Sequence, residues 1–121
     1  MARAQSRKHR GYASQRLIAL RWKENGLAPY AVPVGAGDHG EDILNSPDGL
    51  VIEIKARDTV TLPAALKQAL KSNPGAIPWV VWQHNGQGEA SMDDWTVTMR
   101  LVDAEKLYLA WRNANNGREI T

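Results

Sequence analysis

Two acidic residues and a lysine lie where the sequence otherwise has strand-forming apolar residues. Ten residues separate Asp42 from Glu53, and Lys55 follows two positions later within the run Leu-Val-Ile-Glu-Ile-Lys-Ala at residues 50–56. Glu53 and Lys55 are two positions apart, so on a strand they share a face. Charge in such a setting is costly unless a partner compensates it. A divalent cation would compensate the two acidic residues, and a phosphate would compensate the lysine.

The turn between the two acids decides whether they meet. Residues 46–49 are Ser-Pro-Asp-Gly, a typical type I turn sequence. If Ser46 pairs with Gly49, Asp42 lies directly opposite Glu53 with the two Cβ atoms about 5 Å apart. Two carboxylates at that distance repel each other unless a cation lies between them. If Gly49 instead forms a bulge, the pairing shifts by one residue and Asp42 moves to the other face. Both registers are compatible with the sequence.

The surrounding elements predict an α/β fold that places this hairpin at the edge or mouth of a sheet. Residues 1–10 are expected to form a flexible basic arm, and residues 11–121 a single domain. The predicted order is helix, three strands, helix, two strands, helix, which gives a central mixed β-sheet with helices on both faces. The predicted helices cover residues 11–25, 61–71 and 103–112, the last capped by Asp103, and the later strands cover residues 77–83 and 95–101.

Composition narrows the class of protein. The chain has 121 residues, enough for one domain with its own core. It contains no cysteine, which excludes a disulfide framework and a cysteine-based zinc site. No apolar stretch approaches the roughly 20 residues of a membrane span, and the sequence shows no signal-peptide core. We therefore expect a cytoplasmic protein.

The net charge of +2 hides an uneven distribution of charge. Residues 1–23 contain seven Arg and Lys residues and no acidic residue. This pattern fits a polyanion such as nucleic acid, and the alternative is an ordinary solubilising tail. The candidate DNA-binding residues are Arg3, Arg7, Lys8, Arg10 and Arg16.

With these motifs identified, the chain resembles the PD-(D/E)xK nucleases, and among them the small Holliday junction resolvases of archaea and their relatives in bacteriophages. The resemblance covers roughly residues 7–102. It implies a restriction-endonuclease-like core with the order αβββαββα. The motifs that carry it are Arg10-Gly11 opening the first helix, Gly40-x-Asp42-Ile43, the turn containing Gly49, Ile-Glu-Ile-Lys-Ala at residues 52–56 and Trp-Val-Val-Trp at residues 79–82.

The resemblance also implies a mechanism. Asp42 and Glu53 would ligate Mg²⁺ or Mn²⁺, Ile54 would add its backbone carbonyl, and Lys55 would orient the attacking water and offset charge on the phosphate. Such enzymes are two-fold homodimers that cut DNA four-way junctions during recombination and repair, leaving 5′-phosphate ends. A bacteriophage member would act in the host cytoplasm.

The chain departs from the family pattern in its first helix. The family carries a glutamate four residues after the glycine, and this chain has Gln15, a weaker metal ligand, so the number of metal ions is open. Gln68, thirteen residues after Lys55, occupies a place where some relatives have a glutamine facing the site.

Three alternatives remain at this stage. The same chemistry could act on flaps, ends or ordinary duplex DNA in repair or defence. The chain could instead be a catalytically silent DNA-binding module, an idea that Gln15 encourages. A surface strand with a cross-strand ion pair is the structural alternative, and the apolar neighbours Val51, Ile52 and Ile54 argue against it.

Overall fold

The computed structural model describes residues 2–35, 41–56 and 60–116, with side chains from residue 11 onward. The chain is an α/β protein, and its helices and strands follow the predicted order. The elements are α1 (Ala2–Glu24), β1 (Val32–Pro33), β2 (Ile43–Leu44), β3 (Leu50–Lys55), α2 (Leu62–Ser72), β4 (Ile77–Trp82), a 3₁₀ helix (Glu89–Asp94), β5 (Thr96–Thr98) and α3 (Leu101–Ala114).

The sheet is mixed, as predicted, with β4 between its two neighbours. Strand β3 runs parallel to β4, with Glu53 paired to Val80 and Lys55 paired to Trp82. Strand β5 is antiparallel to β4. Parallel neighbours need a crossover connection, and α2 supplies it between β3 and β4. The apolar character of β4 fits its central position, since Val80 is fully buried.

Strands β1 and β2 form a separate antiparallel pair beside β3. The backbone N–H of Asp42 donates to the carbonyl oxygen of Ile52 at 3.1 Å, and that of Val34 donates to the carbonyl oxygen of Asp42 at 3.1 Å. These two bonds connect β1, the start of β2 and β3. They hold Asp42 against the strand that carries the other acid.

The two faces of β3 are covered by different helices. Ile52 and Ile54 belong to a core cluster that includes Ile18 and Trp22 of α1. Val51, which points to the other face, clusters with Ala69 of α2 and with Ala76. Glu53 and Lys55 alternate in phase with Val51. Both charged side chains therefore lie on the face of the sheet that α2 covers.

Helix α1 is longer than the sequence analysis predicts, because it begins at Ala2 rather than at Gly11. Residues 2–10 consist largely of good helix formers such as Ala, Arg, Gln and Lys, without Pro or Gly, which favours a helical backbone over the expected flexible arm. The helix ends at the predicted Asn-Gly, where Gly26 has a φ of +79°. Within the described residues, no helix is long and apolar enough to span a membrane.

Helix α3 begins earlier than predicted, and Asp103 does not cap it. Arg100 occupies the N-cap position without a capping hydrogen bond from its side chain. Asp103 instead lies in the first turn, where its carboxylate accepts two hydrogen bonds from the Arg100 guanidinium, at 2.7 and 3.2 Å. A negative charge in the first turn also interacts favourably with the helix dipole.

Candidate functional site

The structure has neither of the two predicted registers, because β2 and β3 form no ladder and belong to different sheets. The Leu50 N–H donates to the carbonyl oxygen of Pro47 at 3.0 Å, which closes a turn over residues 47–50. Gly49 is the third residue of this turn and has a φ of +84°, a conformation that favours glycine. The Asp42 N–H donates to the carbonyl oxygen of Ile52 at 3.1 Å. Direct opposition of the two acids, the first of the two registers, is therefore not observed.

The Asp42 carboxylate nevertheless reaches β3. Its Oδ2 accepts a hydrogen bond of 2.6 Å from the backbone N–H of Ile54. This amide belongs to the peptide that links Glu53 to Ile54. The next residue, Ile43, is fully buried in the core cluster with Ile52. The Asp42 side chain thus takes the place of a backbone acceptor along β3.

Glu53 and Lys55 form an ion pair on the α2 face of the sheet. Their Nζ and Oε1 atoms are 2.9 Å apart, and the side chains are 4% exposed for Glu53 and 15% for Lys55. Lys55 Nζ also donates to Oε1 of Gln68 on α2, at 3.4 Å. Gln68 therefore faces the site, as the sequence analysis proposed. The partly exposed Lys55 ammonium therefore contacts the Glu53 carboxylate and the Gln68 side-chain amide.

The electrostatics around Asp42 favour a cation nearby. Burial raises the pKa of Asp42 above its usual value, while the hydrogen bond from the Ile54 N–H and the charge of Lys55 act in the opposite direction and offset only part of that rise. The positive charge of Lys55, which pairs with Glu53, also favours the ionised form of Asp42. A further positive charge at this place would stabilise the ionised carboxylate.

The carbonyl of Ile54 points to the same edge as the Asp42 carboxylate. In a strand, the N–H and C=O of one residue point to the same side, and successive residues alternate. The carbonyl of Lys55 accepts the Gln83 N–H from the β4 side at 2.8 Å. Ile54 therefore directs its carbonyl away from β4, towards Asp42. This direction is the one that the predicted role as a carbonyl ligand requires.

These donors fit Mg²⁺ or Mn²⁺. Carboxylate and carbonyl oxygens are hard ligands, and Mg²⁺ is typically bound by one or two carboxylates with waters and substrate phosphates completing its shell. Within the described ranges, no group of three or more His, Cys, Asp or Glu side chains could hold a metal ion. A metal here would therefore have two carboxylate ligands, Asp42 and Glu53, and the backbone carbonyl of Ile54. The Lys55 ammonium, now against Glu53, would turn towards the phosphate.

Gln15 connects α1 to the chain that leads into the site. Its side chain is 7% exposed, and its Oε1 accepts a hydrogen bond of 2.8 Å from the backbone N–H of Gly35. The carbonyl oxygen that would replace the family's carboxylate is therefore engaged with the backbone. This contact joins α1 to the backbone at Gly35, two residues after β1. We assign Gln15 a positioning role, in addition to the predicted role at the metal.

The predicted DNA-binding residues all belong to α1. Arg16 is exposed, and its guanidinium lies 5.9 Å from the centre of the Tyr12 ring. It lines a groove of about 430 Å³, together with Lys23 and Pro33. The positions Arg3, Arg7, Lys8 and Arg10 lie on the first part of the helix, and their side chains are outside the described ones.

A polar contact that the sequence did not reveal connects α1 to the residue that follows β4. The hydroxyl of Ser14, which is buried, donates to Oε1 of Gln83, and Nε2 of Gln83 donates to the carbonyl oxygen of Gln87 at 2.5 Å. Gln83 follows β4 directly and bonds the carbonyl of Lys55 through its own backbone N–H. The only sequence signal was a small polar residue on the buried side of an otherwise apolar helix face.

Neither a protein-family model, nor a curated protein, nor a solved structure matches this chain. The contacts around Asp42, Glu53 and Lys55 are accordingly the basis for assigning a function.

Proposed function

We propose that this chain is a metal-dependent, structure-selective DNA endonuclease with a restriction-endonuclease-like core, and that it resolves Holliday junctions. One observation carries the proposal. The Asp42 carboxylate is bound to the Ile54 amide, next to the buried Glu53–Lys55 ion pair. Two acids and a lysine thus meet along one short stretch of β3, an arrangement suited to metal-assisted cleavage of a phosphodiester.

Each side chain has a task in this chemistry. Asp42, Glu53 and the Ile54 carbonyl would hold the metal ion, which when bound lowers the pKa of water and neutralises phosphate charge. Lys55 would donate a hydrogen bond to the attacking water or to the scissile phosphate. Gln68 holds the Lys55 ammonium in reach of both, through the contact of 3.4 Å.

The basic face of α1 would bind the DNA backbone. Arg16 and Lys23 border the groove beside β1, and the first part of the helix adds further cationic positions. Phosphate contacts position a protein on DNA without reading the bases. Selection of a four-way junction would then depend on the shape of the DNA.

Cleavage of a synthetic four-way junction tests this proposal. We expect cutting in Mg²⁺ or Mn²⁺, none in EDTA, and products with 5′-phosphate ends that DNA ligase can join. Asp42→Asn and Lys55→Ala should lower the cleavage rate by about a hundredfold or more. The matched controls are Asp48→Asn in the turn and Lys71→Ala on α2, both exposed. Wild-type inactivity, or activity retained in Asp42→Asn, would refute the nuclease assignment.

The substrate is tested separately by comparing junction, flap, free-end and linear duplex DNA at equal concentrations. Faster cutting of flaps or duplex would favour a repair or defence nuclease with the same site.

The silent DNA-binding alternative has a specific observation in its favour. Oε1 of Glu53 forms an ion pair with the Lys55 ammonium, and Oε1 of Gln15 accepts a hydrogen bond from the Gly35 N–H. Both oxygens therefore have protein partners that a metal ion would have to replace. A silent module predicts salt-sensitive junction binding in gel-shift assays, no cleavage in Mg²⁺ or Mn²⁺, and unchanged binding in Glu53→Gln.

A further inference from the structure

Helix α3 presents large apolar side chains to solvent. Leu101 is 76% exposed, Tyr108 55% and Trp111 45%. Within α3 the buried residue is Asp103, which the Arg100 guanidinium holds through two hydrogen bonds. No helix or strand of the described ranges packs extensively against α3. An isolated helix of about this length is marginal in water, so its apolar side needs a packing partner.

The apolar residues along α3 have coiled-coil spacing. Leu101, Ala104, Tyr108 and Trp111 follow one another at intervals of three, four and three residues, the a and d positions of a heptad. At about 100° per residue, this seam lies on the side of the helix away from Asp103. The rings of Tyr108 and Trp111 already contact each other, with centroids 6.0 Å apart. Leu101, Tyr108 and Trp111 of the seam are thus exposed, and Ala104 is half-buried.

The charges beside the seam are self-complementary. Glu105 and Arg112 are seven residues apart and both occupy the e position of the heptad. In an antiparallel helix pair related by a two-fold axis, the e positions of the two helices face each other. Glu105 of one copy would therefore meet Arg112 of the other, twice per dimer. A parallel pair would instead place Arg112 against the apolar Leu107, and Glu105 against Arg100, whose guanidinium Asp103 already holds.

We propose that α3 is a homodimer interface, formed by antiparallel pairing of the α3 seams of two copies of this chain. The charge pattern identifies the partner, because a single helix carries both halves of the complementary pair in the order that a two-fold axis requires. The nuclease assignment implies a dimer but not its interface, so this proposal goes beyond that assignment in placing the contact on α3, and it needs neither DNA nor metal. Its failure is therefore distinguishable from failure of the cleavage experiments.

Sedimentation equilibrium of the full chain, without DNA, tests the interface. Wild type should be a dimer, and Trp111→Glu should be a monomer at the same concentration. Glu105→Arg and Arg112→Glu should each weaken self-association about tenfold or more, because each turns two attractive contacts into repulsive ones. The double variant Glu105→Arg with Arg112→Glu should recover the dimer. Lys106→Glu, at the exposed f position, is the matched control and should leave association unchanged.

Mixing the two single variants gives the sharpest result. Glu105→Arg has two positive e positions, and Arg112→Glu has two negative ones. In an antiparallel pair these charges attract each other, so the heterodimer should be tighter than either homodimer. All changed residues are exposed, and circular dichroism with thermal melts verifies that each variant is folded. A wild type that stays monomeric, single variants that associate like wild type, or a mixture without heterodimer would each overturn the proposal.

Discussion

Asp42 has a structural role in the fold and, in the proposed function, a chemical role as well. Its carboxylate serves as an acceptor for the Ile54 N–H at 2.6 Å, yet burial raises its pKa. The folded protein therefore binds a proton at Asp42 more tightly than the unfolded chain does. Stability contributed by the protonated form is present at low pH and declines as pH rises above the unfolded value of 3.8. At neutral pH, the ionised carboxylate opposes folding unless a cation compensates it.

Asp42→Asn should accordingly make the protein more stable and less active. The amide oxygen can still accept the Ile54 hydrogen bond, while the buried charge disappears. We expect a higher melting temperature than wild type at pH 7 without metal, and a difference that shrinks as pH falls towards 4. Cleavage in Mg²⁺ should fall by about a hundredfold or more. Thermal melts across pH, with the exposed Asp48→Asn as control, measure the first effect; a lower melting temperature at pH 7 would contradict it.

Lys55 is equally constrained, because its ammonium meets a nearly buried carboxylate. Lys55→Met removes the ion pair with Glu53 and should destabilise the fold by about 3 kcal/mol, as expected when one partner of a buried pair is removed. Adding Glu53→Gln should recover much of that stability, since the amide carries no charge. Neither variant should cleave DNA. Urea denaturation measures the stabilities, with Lys71→Met on the exposed side of α2 as control. Equal stability of wild type and Lys55→Met would show that the pair is not important for folding.

At the scale of elements, the site depends on how the β2–β3 hairpin meets its neighbours. Gly49 shapes the turn before β3, and the bonds of Asp42 to Ile52 and Ile54 hold Asp42 against that strand. Gln15 joins α1 to Gly35, two residues after β1. The position of the Asp42 carboxylate is therefore a property of the turn and of the helix contact together.

Gly49→Ala tests the turn. A Cβ at this position would meet no atom within 4 Å, so the change acts through the φ of +84° alone. We expect a loss of roughly 1 kcal/mol in the free energy of unfolding. Cleavage should fall further than stability explains, because the turn that brings Asp42 to Ile54 is disturbed. Gly88→Ala, also without steric conflict, is the control. If Gly49→Ala lost stability but kept full cleavage activity, the turn would not be needed to position Asp42 for cleavage.

Sequence patterns predicted elements better than they predicted the hairpin register. The apolar run of β4 and the Pro and Asn limits of α2 led to boundaries close to those observed. The sequence leaves two registers of the β2–β3 hairpin open, and the structure has neither, because β2 pairs with β1 and β3 pairs with β4 in separate sheets. The start of α1 was misplaced, since Gly11 was taken as a boundary and is tolerated inside the helix. The hydrogen bond from the Gly35 N–H to the Gln15 side chain joins residues twenty positions apart, and no local sequence pattern predicts it.

At the scale of the whole molecule, the proposed DNA-binding residues and the proposed dimer interface lie on different helices. The cationic residues near the start of the chain all lie on α1, whereas the apolar seam lies on α3. A dimer through α3 would join two copies without using the cationic residues of α1. Two active sites on one two-fold assembly would match the two strands that a junction resolvase must cut.

This arrangement predicts how salt affects DNA binding. Removing one cation that binds a phosphate should reduce the slope of log K against log salt concentration by about 0.9 for duplex DNA. Replacing Arg3, Arg7, Lys8 and Arg10 together by Gln should therefore flatten the slope markedly and weaken junction binding at low salt. Replacing Lys67 and Lys71 of α2 by Gln is the control for a change in net charge, and it should alter the slope little. Fluorescence anisotropy with a labelled junction, measured over a range of salt concentrations, provides the slope. An unchanged slope in the α1 variant would show that DNA binds elsewhere on the protein.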